Sequence, residues 1–492
     1  MWGCEMAKEY DVIVVGAGPG GLTCAALLAK WGLRPLLLDQ NKTTGGKAVT
    51  VERDGFRYEL APKLQCPMQG SAFEQAFELL GISPKLKSIP LENACIAYRS
   101  RSSDRYNIAY MSQTGQDPTP LFDLWELDDG ERERGLGILG GIALMSPDQM
   151  SALDDMTFEE YLAQFDVPRA VYSYLAMHSN ASLAEPIDLV SASEQATILQ
   201  QIMLQGGGGY YVGGFGRMLD DLKDAFTSNG GEVKTQTRVE KINVEDGRVT
   251  GVLTGEGEFR APIVISDAGI QPTVLKLVGE DYFDKSYVNY VKGLIPGWSF
   301  TAVKYFLNKA VLEYPMFMIY SDDSYVKMDN FLKIKEGHVP EEVILFGIIP
   351  SNYDPTMSPP GKQCIIAGTI CSPNPEATEI QMLYGKMDDV LDRVFPGVLD
   401  ATDHKEYEGP AEISASTRDH VLPGQGGECV GLGQIVGQCG KHKPSPRAPV
   451  NGLFYVGCDA GAAGMGTHQA ALSGINVARM ASQLFRKMQA AQ

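Results

Sequence analysis

Positive charge is scarce in this sequence. It contains 42 lysine and arginine residues against 61 aspartate and glutamate residues, which gives a formal net charge of −19. Proteins that bind nucleic acid are expected to carry basic surfaces, so this balance argues against a nucleic-acid partner. It also argues against strong attraction to anionic lipids.

Paired cysteines and long apolar runs are absent as well. The nine cysteines are scattered, and no two form a C-x-x-C pair of the kind that binds zinc or an iron–sulfur cluster. We therefore expect no metal site, and we expect a reducing cytoplasm. No run reaches the ~18 apolar residues of a spanning helix. The first ten residues lack the apolar stretch of a signal peptide.

Glycine is the residue type in excess, with 54 of the 492 residues. The glycines follow no collagen-like period and cluster in short loops, where they permit a positive φ or the close approach of backbone to a ligand. The chain length suits two to four domains or one large interrupted domain. The 44% hydrophobic content is that of a globular protein.

The strongest local pattern lies in the first forty residues. Residues 11–15 have the composition of a short buried parallel strand, and a glycine-rich turn, a helical segment and a second apolar strand follow. This order predicts a dinucleotide-binding unit whose turn admits a pyrophosphate at the helix N-terminus. Asp39 closes the second strand and is predicted to bind a ribose hydroxyl, with a solvated loop acid as the alternative. The predicted phosphate-loop residues are Gly16, Gly18, Pro19, Gly20 and Gly21.

A second loop follows Asp39 and carries paired glycines and a cation, and residues 55–62 then alternate like a strand. The residues of this stretch predicted to bind the cofactor are Gln40, Gly45, Gly46, Lys47 and Pro62. Here the sequence resembles the FAD-binding oxidoreductases of the glutathione-reductase-like superfamily. The nearer resemblance is to the phytoene desaturases, carotenoid isomerases and retinol saturases, with flavin amine oxidases more distant. The resemblance implies FAD as the cofactor.

Two later blocks continue the resemblance in the expected order. Residues 213–219 precede a helical segment and two strands joined by a turn at 245–247, and the resemblance gives the backbone of Val239 a hydrogen bond to adenine. The last block runs from Gly457 into a glycine-rich helix start that directs N–H groups at the flavin. The resemblance places Asp459 on the ribityl chain, with a helix N-cap as the alternative. This block also contributes Gly466 and Thr467.

The blocks are far apart in the chain, so the FAD-binding domain is predicted to be discontinuous. The predicted fold class is α/β, with a Rossmann-like domain of the glutathione-reductase type and an α+β substrate domain. The first domain comprises residues 9–85, 205–270 and 405–492, and the second comprises residues 86–204 and 271–404. Residues 158–205 are helical in composition, and three runs within 271–404 resemble strands.

The expected chemistry belongs to the flavin, which accepts a hydride while the protein orients the substrate and excludes water. His468 lies within a flavin-facing motif and is the candidate catalytic residue, with a packing role at the helix start as the alternative. His420 is a weaker candidate, with a surface loop position as the alternative. No Ser-His-Asp or Cys-His nucleophile pattern has supporting context.

The resemblance implies an enzyme that oxidises carbon–carbon bonds of an apolar, isoprenoid-like molecule, with quinone, oxygen or a carrier protein as electron acceptor. A redox-neutral isomerase or saturase and a flavin amine oxidase share the cofactor motifs, and a non-enzymatic escort protein is a further class. Residues 135–146 and 283–300 are apolar enough to line a lipid tunnel or touch a bilayer surface, and buried core is the simpler interpretation. We expect a cytoplasmic protein, with peripheral membrane contact as an extension.

Overall fold

The structure is a computed structural model that describes residues 8–63, 70–111, 117–204 and 208–491. One of its sheets is entirely parallel. Strands Val12–Val15 and Pro35–Leu38 are buried at every residue, as expected for apolar runs covered on both faces. The order across the sheet is Glu232–Lys234, Pro35–Leu38, Val12–Val15, Val264–Ser266 and Leu453–Tyr455. Strands that are distant in the chain are therefore neighbours in space.

Four helices share a hydrophobic core with this sheet. They are Pro19–Lys30, Ala72–Leu80, Phe215–Ser228 and Gly466–Ala490. The first and last approach closely because Gly474 has no side chain, and a Cβ there would lie 2.6 Å from the carbonyl oxygen of Gly20. This contact holds the N-terminal halves of the two helices together at one edge of the sheet.

A separate four-stranded sheet adjoins the parallel one. Its strands, in spatial order, are Lys8–Glu9, Gly257–Arg260, Arg248–Thr254 and Val239–Glu245. The chain turns between the last two at Asp246 and Gly247, whose φ angles are 49° and 72°. Asp-Gly pairs favour these positive values, so the turn expected at 245–247 is confirmed.

A seven-stranded mixed sheet forms a second layer. Strands Ser299–Leu307 and Gln363–Cys371 are buried along their whole length and confirm two of the strand-like runs. Neighbouring strands are antiparallel except Ala94–Arg99 and Met316–Ser321, which are parallel. The order is Thr402–Glu408, Ser299–Leu307, Gln363–Cys371, Leu345–Ile348, Met316–Ser321, Ala94–Arg99 and Asn107–Met111. The first of these strands crosses residue 404, and the division into two domains at that point stays a prediction.

The predicted helical stretch that starts at residue 158 is helical but interrupted, and its last residue, 205, lies outside the described residues. Its elements are Phe158–Leu162, Arg169–His178, the π-helical turn Ser179–Leu183 and Ala192–Leu204. Pro168 and Pro186 stand in the two gaps. Pro168 is the N-cap of Arg169–His178, and Pro186 follows Ala184, whose left-handed backbone ends the π-helical turn.

The remaining elements are further helices, single turns and two strand pairs. The other helices are Thr119–Leu124, Asp129–Ala143, Pro147–Ser151, Ile270–Pro272, Lys285–Gly293, Met328–Lys335, Pro350–Tyr353, Glu379–Val394 and Pro410–Ser416, with a π-helical turn at Thr273–Val278 and 3₁₀ turns at Ser83–Lys85, Glu280–Tyr282, Pro355–Met357 and Gly440–His442. Two-stranded pairs join Thr50–Arg53 to Phe56–Glu59 and Ser88–Pro90 to Gly209–Tyr211. Within the described ranges, no helix has the length and apolar character needed to cross a membrane. The α/β class is confirmed.

Candidate functional site

A cavity of about 350 Å³ lies at the carboxyl end of the parallel sheet. Val15 and Leu38 end two of its strands, Asp267 and Gly457 follow two others, and all four residues line the cavity. Ligands of open α/β sheets bind at this edge. The volume falls within the ~300–1,000 Å³ range of small-molecule sites. We therefore take the cavity as the candidate functional site.

Most of the residues singled out from the sequence meet at this cavity. Those that line it are Gly16, Gly18, Pro19, Asp39, Gln40, Gly46, Lys47, Pro62, Val239, Gly457, Gly466, Thr467 and His468. Those that do not are Gly20, Gly21, Gly45 and Asp459. His420, the weaker histidine candidate, is exposed and does not line it.

The glycine-rich turn needs its glycines for two different reasons. Gly16 has a φ of 97°, and Gly18 leaves open a space in which a Cβ would lie 2.6 Å from Oδ2 of Asp267. Gly20 and Gly21 instead permit packing, because a Cβ on Gly21 would lie 2.1 Å from the carbonyl oxygen of Gly16. The turn therefore brings bare backbone to the cavity at the N-terminus of a helix, the arrangement that receives phosphate.

Asp39 holds the turn in place. Its Oδ2 accepts a hydrogen bond from the backbone N–H of Ala17 at 2.8 Å, and its Oδ1 accepts one from that of Asn41 at 2.7 Å. Burial raises the pKa of this carboxyl, and the two N–H donors oppose the rise. Each carboxylate oxygen keeps a further acceptor site that a ribose hydroxyl can use.

The second glycine loop connects the first one to the C-terminal part of the chain. Gly45 donates its N–H to the carbonyl of Ala17 at 2.8 Å. The Lys47 ammonium donates to the carbonyl oxygens of Glu428 and Cys429. Burial lowers the pKa of Lys47, and the nearby guanidinium of Arg418 lowers it further. Lys47 lines the cavity as a cation held between two segments.

The carboxylate of Asp459 does not reach the cavity, contrary to its expected place on the ribityl chain. Its oxygens accept four hydrogen bonds: two from Arg418, at 2.9 and 3.0 Å, and two from the backbone N–H groups of Ile270 and Leu432, at 3.0 and 3.1 Å. Cys458 lines the cavity instead. Burial raises the pKa of Cys458 to about 12, so it is a neutral thiol. The alternative role as a cap of the C-terminal helix also fails, because Met465 holds that position.

The C-terminal helix begins at the cavity wall. Gly466 and Thr467 open the helix Gly466–Ala490, and their position directs the first N–H groups of a 25-residue helix toward the cavity. His468 is 8% exposed, and neither ring nitrogen has a hydrogen-bond partner. Its ring packs edge-on against Phe73, with centroids 5.0 Å apart. Burial lowers the pKa of His468 to about 4, so the imidazole is neutral at physiological pH.

Asp267 is a site residue that the sequence reasoning missed. Its Oδ2 accepts from the N–H of Gly21 at 3.1 Å, at the N-terminus of the first helix. Burial raises its pKa to about 8, despite the opposing effects of that N–H and of Arg418. It follows a strand of the parallel sheet, as Asp39 does, so the same sequence rule applied to the segment VISDAG would have found it.

A network of ion pairs also escaped the sequence reasoning. Arg238 donates to both oxygens of Asp419 at 2.5 and 2.7 Å, and Lys276 donates to the same carboxylate at 2.7 Å. The Asn41 amide donates to the carbonyl of Ser416 at 2.9 Å. Together these contacts hold residues 416–419 over the end of the cavity that lies nearest Asp39. The partners are 143 to 375 residues apart in the chain, so no local pattern predicts them.

Another part of the cavity wall is mostly apolar and comes from helices and from the seven-stranded sheet. It includes Ala181, Ile202, Met318, Phe346 and Met465, with the polar side chains of Ser182 and His178 among them, and Lys63 lines the same cavity. His178 is 2% exposed, and neither of its ring nitrogens has a hydrogen-bond partner. Burial lowers its pKa to about 4. The cavity therefore joins a polar part built around the glycine turn to an apolar chamber.

Among the described residues, no group of three or more histidine, cysteine, aspartate or glutamate side chains is arranged to hold a metal ion.

Comparison with known proteins defines the class. The family described as "Flavin containing amine oxidoreductase" matches residues 19–279, more than half of the chain. The protein therefore belongs to this family and is an FAD-dependent oxidoreductase. The match starts in the glycine-rich turn and extends past Asp267.

Named relatives include two carotenoid enzymes. The chain is 26% identical over 390 residues to the phytoene desaturase of Cercospora nicotianae, an alignment that covers 73% of this chain and 60% of that protein. It is 24% identical over 526 residues to the chloroplastic prolycopene isomerase of Daucus carota, covering 98% and 82% respectively. The chain thus spans about three-fifths of the length of the first relative and most of the second.

Two solved structures share the fold over nearly the whole chain. An oxidoreductase from Methanosarcina mazei superposes with a TM-score of 0.72 at 17% identity, covering 95% of this chain and 100% of that one. A putrescine oxidase variant superposes with a TM-score of 0.69 at 14% identity, covering 97% and 99%. The FAD-binding oxidoreductase fold predicted from the sequence is therefore confirmed.

The residues at the cavity fit FAD. Two helix N-termini open on it, Gly18 leaves room beside the first, and the buried ring of His468 lacks a partner beside the second. FAD, when bound, supplies hydride transfer, and the protein supplies orientation and a dry surrounding.

Proposed function

We propose that the protein oxidises carbon–carbon bonds of an apolar, isoprenoid-like substrate held in the chamber beside FAD. The observation that carries this proposal is the apolar wall of the chamber, in which Met318, Phe346 and Ile202 continue directly from the cofactor part of one cavity. The relatives named phytoene desaturase and prolycopene isomerase support the same substrate chemistry. In the forward reaction the substrate loses two hydrogens from neighbouring carbons as a C=C bond forms, and FAD, when bound, would take up the two electrons and two protons as FADH2.

Within this proposal the cavity-lining residues would hold the parts of FAD in order, from the adenosine at one end to the flavin ring at the other. The backbone of Gly16 and Gly18 receives the pyrophosphate, and Asp39 accepts from the ribose of the adenosine. Val239 at the start of its strand lies beside the adenine. The helix start at Gly466 and Thr467 then faces the flavin ring, where its N–H groups stabilise negative charge on reduction.

The charges around the cavity argue against an amine substrate. Its acidic lining residues are Asp39, Asp267 and Asp419, and all three lie in the polar part beside the glycine turn or its closing segment. Among the described residues, the apolar chamber has no carboxylate to pair with an ammonium group, and an unpaired buried cation is costly. An amine oxidase therefore stays the weaker alternative, although the family description names amines.

The electron acceptor is proposed to be quinone, oxygen or a carrier protein. The sequence offers no second G-x-G-x-x-G turn flanked by a strand and a helix, as a dedicated NAD(P)H site requires. Residues 135–140 match the letters of that pattern but lie inside the helix Asp129–Ala143. A redox-neutral isomerase or a saturase needs the same chamber. The isomerase transfers no net electrons, and the saturase transfers electrons to the substrate.

Peripheral contact with a membrane is part of the proposal, since an isoprenoid substrate dissolves in lipid. Leu136 and Leu144, on and just after the helix Asp129–Ala143, are 54% and 82% exposed. Exposed apolar side chains of this kind suit a lipid surface. Co-sedimentation with uncharged phosphatidylcholine vesicles tests this part, and a protein that stays wholly in the supernatant contradicts it.

Product analysis distinguishes the reactions. The FAD-loaded protein is incubated with a polyene of the phytoene type, under nitrogen with a soluble quinone, and the products are separated and weighed by mass spectrometry. We expect loss of two hydrogens and reduction of the quinone. An unchanged mass with a new retention time indicates an isomerase, and no change in any of several polyenes contradicts the proposal. A parallel incubation with dithionite-reduced protein and no quinone tests for a saturase, whose product gains two hydrogens.

A further inference from the structure

We propose that the chamber contains a binding subsite for one oxygen atom of the substrate, formed by the imidazole of His178. The inference rests on the proposed function, because it takes the chamber as the substrate site. It narrows the substrate class from apolar hydrocarbons to apolar molecules that carry a hydroxyl or carbonyl group.

The position of His178 is the first observation. It is the last residue of the helix Arg169–His178, it lines the chamber, and it is 2% exposed. Its neighbours on the chamber wall, Met318, Phe346 and Ile202, offer no hydrogen-bonding side chain comparable to an imidazole. The ring of Tyr174 packs edge-on against it, with centroids 4.5 Å apart.

The missing hydrogen bonds are the second observation. Neither Nδ1 nor Nε2 of His178 has a partner in the structure. A neutral imidazole presents one N–H donor and one acceptor nitrogen, and buried polar groups of proteins are nearly always satisfied. A ligand oxygen in the chamber supplies the partner: a hydroxyl can accept and donate, and a carbonyl can accept.

The charge state of the ring selects a neutral ligand. Burial keeps the pKa of His178 near 4, so the ring carries no charge at physiological pH. A neutral imidazole gives an anionic headgroup such as a carboxylate or phosphate no charge to pair with, whereas an alcohol or aldehyde needs none.

The backbone that follows His178 forms a rare type of helical turn. The π-helical turn Ser179–Leu183 begins directly after it and ends at Ala184, whose φ is 54°. π-helical turns are rare and are frequent at functional sites. This turn brings Ala181 and Ser182 to the same cavity, so the hydroxyl of Ser182 is a second polar group four residues from His178.

His468 is the other buried histidine of the cavity without a hydrogen-bond partner, and it belongs to a different part. It follows Gly466 and Thr467 at the helix start, in the cofactor part of the cavity. His178 lies on the wall formed by helices and by the seven-stranded sheet. The two imidazoles therefore serve different ligands, and the oxygen subsite is assigned to His178.

The test is a binding comparison with a matched ligand pair. The FAD-loaded full chain is titrated under nitrogen with geranylgeraniol and with the C20 isoprenoid hydrocarbon that lacks its hydroxyl, and perturbation of the flavin absorbance gives each Kd. We expect the wild type to bind the alcohol about tenfold more tightly, the effect of one well-placed hydrogen bond. His178→Phe should bind both ligands equally, and His178→Asn should keep part of the preference. His404→Phe is the control, because His404 is an exposed histidine outside the cavity that stacks on Phe306.

The outcomes separate the two proposals. Equal binding of both ligands by the wild type, or an unchanged preference in His178→Phe, overturns the oxygen subsite and leaves the apolar-substrate function standing. Failure of the wild type to bind either ligand overturns the proposed function and the subsite with it. Should His178→Phe fail to fold, the wild-type preference and the partial preference of His178→Asn decide the matter.

Discussion

The guanidinium of Arg418 makes a bidentate ion pair with the carboxylate of Asp459, with N–O distances of 2.9 and 3.0 Å. Burial alone would raise the pKa of Asp459, but Arg418 and the N–H groups of Ile270 and Leu432 together outweigh burial and hold the pKa below its ordinary value. Arg418 lines the cavity and Asp459 does not. Asp459 is therefore a positioning residue, which holds the guanidinium of Arg418 at the cavity wall.

The first prediction concerns this pair. Asp459→Asn should lower the free energy of unfolding by about 3–5 kcal/mol, because it leaves the buried Arg418 without its counter-charge. The control is Asp155→Asn, since Asp155 is 64% exposed where it pairs with Lys441, and an exposed pair contributes about 1 kcal/mol or less. Urea denaturation of the apo-proteins measures both. Equal losses of unfolding free energy in the two variants would show that the buried ion pair stabilises the fold no more than the exposed one.

A second prediction concerns the glycine turn. Gly18→Val should abolish FAD binding, because a Cβ at this position lies 2.6 Å from Oδ2 of Asp267 and the branched side chain fills the space for the pyrophosphate. Gly140→Ala is the matched control, since a Cβ there meets nothing within 4 Å. The ratio of FAD to protein after purification is the measurement. A Gly18→Val protein with one FAD per chain would contradict the account of the turn.

The third prediction concerns Asp39. Asp39→Ala should weaken FAD binding by roughly 10- to 100-fold, since a hydrogen bond to a charged group contributes about 1.5–3 kcal/mol. It also removes the acceptor of the Ala17 N–H, so the turn itself should loosen. Asp11→Ala is the control: Asp11 is an acid of the same unit that bonds only Arg34 at the surface. Isothermal titration of the apo-proteins decides, and an unchanged Kd removes Asp39 from the site.

A fourth prediction follows from the burial of His178. Its pKa is about 4 when folded, below the ordinary value of 6.5, so the unfolded chain binds this proton at a higher pH than the folded chain. The folded state therefore loses stability as the pH falls from 6.5 to 4. His178→Phe removes this loss.

The measurement is the difference in free energy of unfolding between His178→Phe and the wild type. It should grow in favour of the variant by roughly 1–3 kcal/mol between pH 7 and pH 4.5. A difference that stays constant with pH would mean that His178 is solvated or paired in solution.

The dinucleotide-binding unit was predictable from the sequence because all of its elements lie close together in the chain. The strand, turn, helix and terminal acid occupy about thirty consecutive residues, and Gly16, Gly18 and Asp39 each have a role set by that short geometry. Asp267 obeys the same rule, since it too follows a strand of the sheet. It was predictable in principle from its segment alone.

The position of Asp459 could not be predicted from the local sequence pattern. Cys458 stands between Gly457 and Asp459, and Gly457 and Cys458 line the cavity whereas Asp459 does not. The partner that fixes the carboxylate, Arg418, is 41 residues earlier in the chain. No periodicity links the two residues, so only the assembled fold reveals the pair.

His178 illustrates a different limit. It ends a helix whose other residues are mostly core, and nothing in the sequence distinguishes a histidine that faces a cavity from one that packs in the interior. The chamber wall combines helices with Met318 and Phe346 of the seven-stranded sheet, which come together only through long-range packing. Its apolar character was expected from resemblance, but its residues were not identifiable one by one.

The central claim is that FAD in this cavity takes a hydride from an apolar carbon chain. The most direct test is anaerobic stopped-flow absorbance of the FAD-loaded protein mixed separately with an isoprenoid polyene, a primary amine and NADPH. The account predicts fast, saturable loss of oxidised-flavin absorbance with the polyene and slow or no reduction by the other two. Fast, saturable reduction by the amine or by NADPH, with none by the polyene, would contradict it.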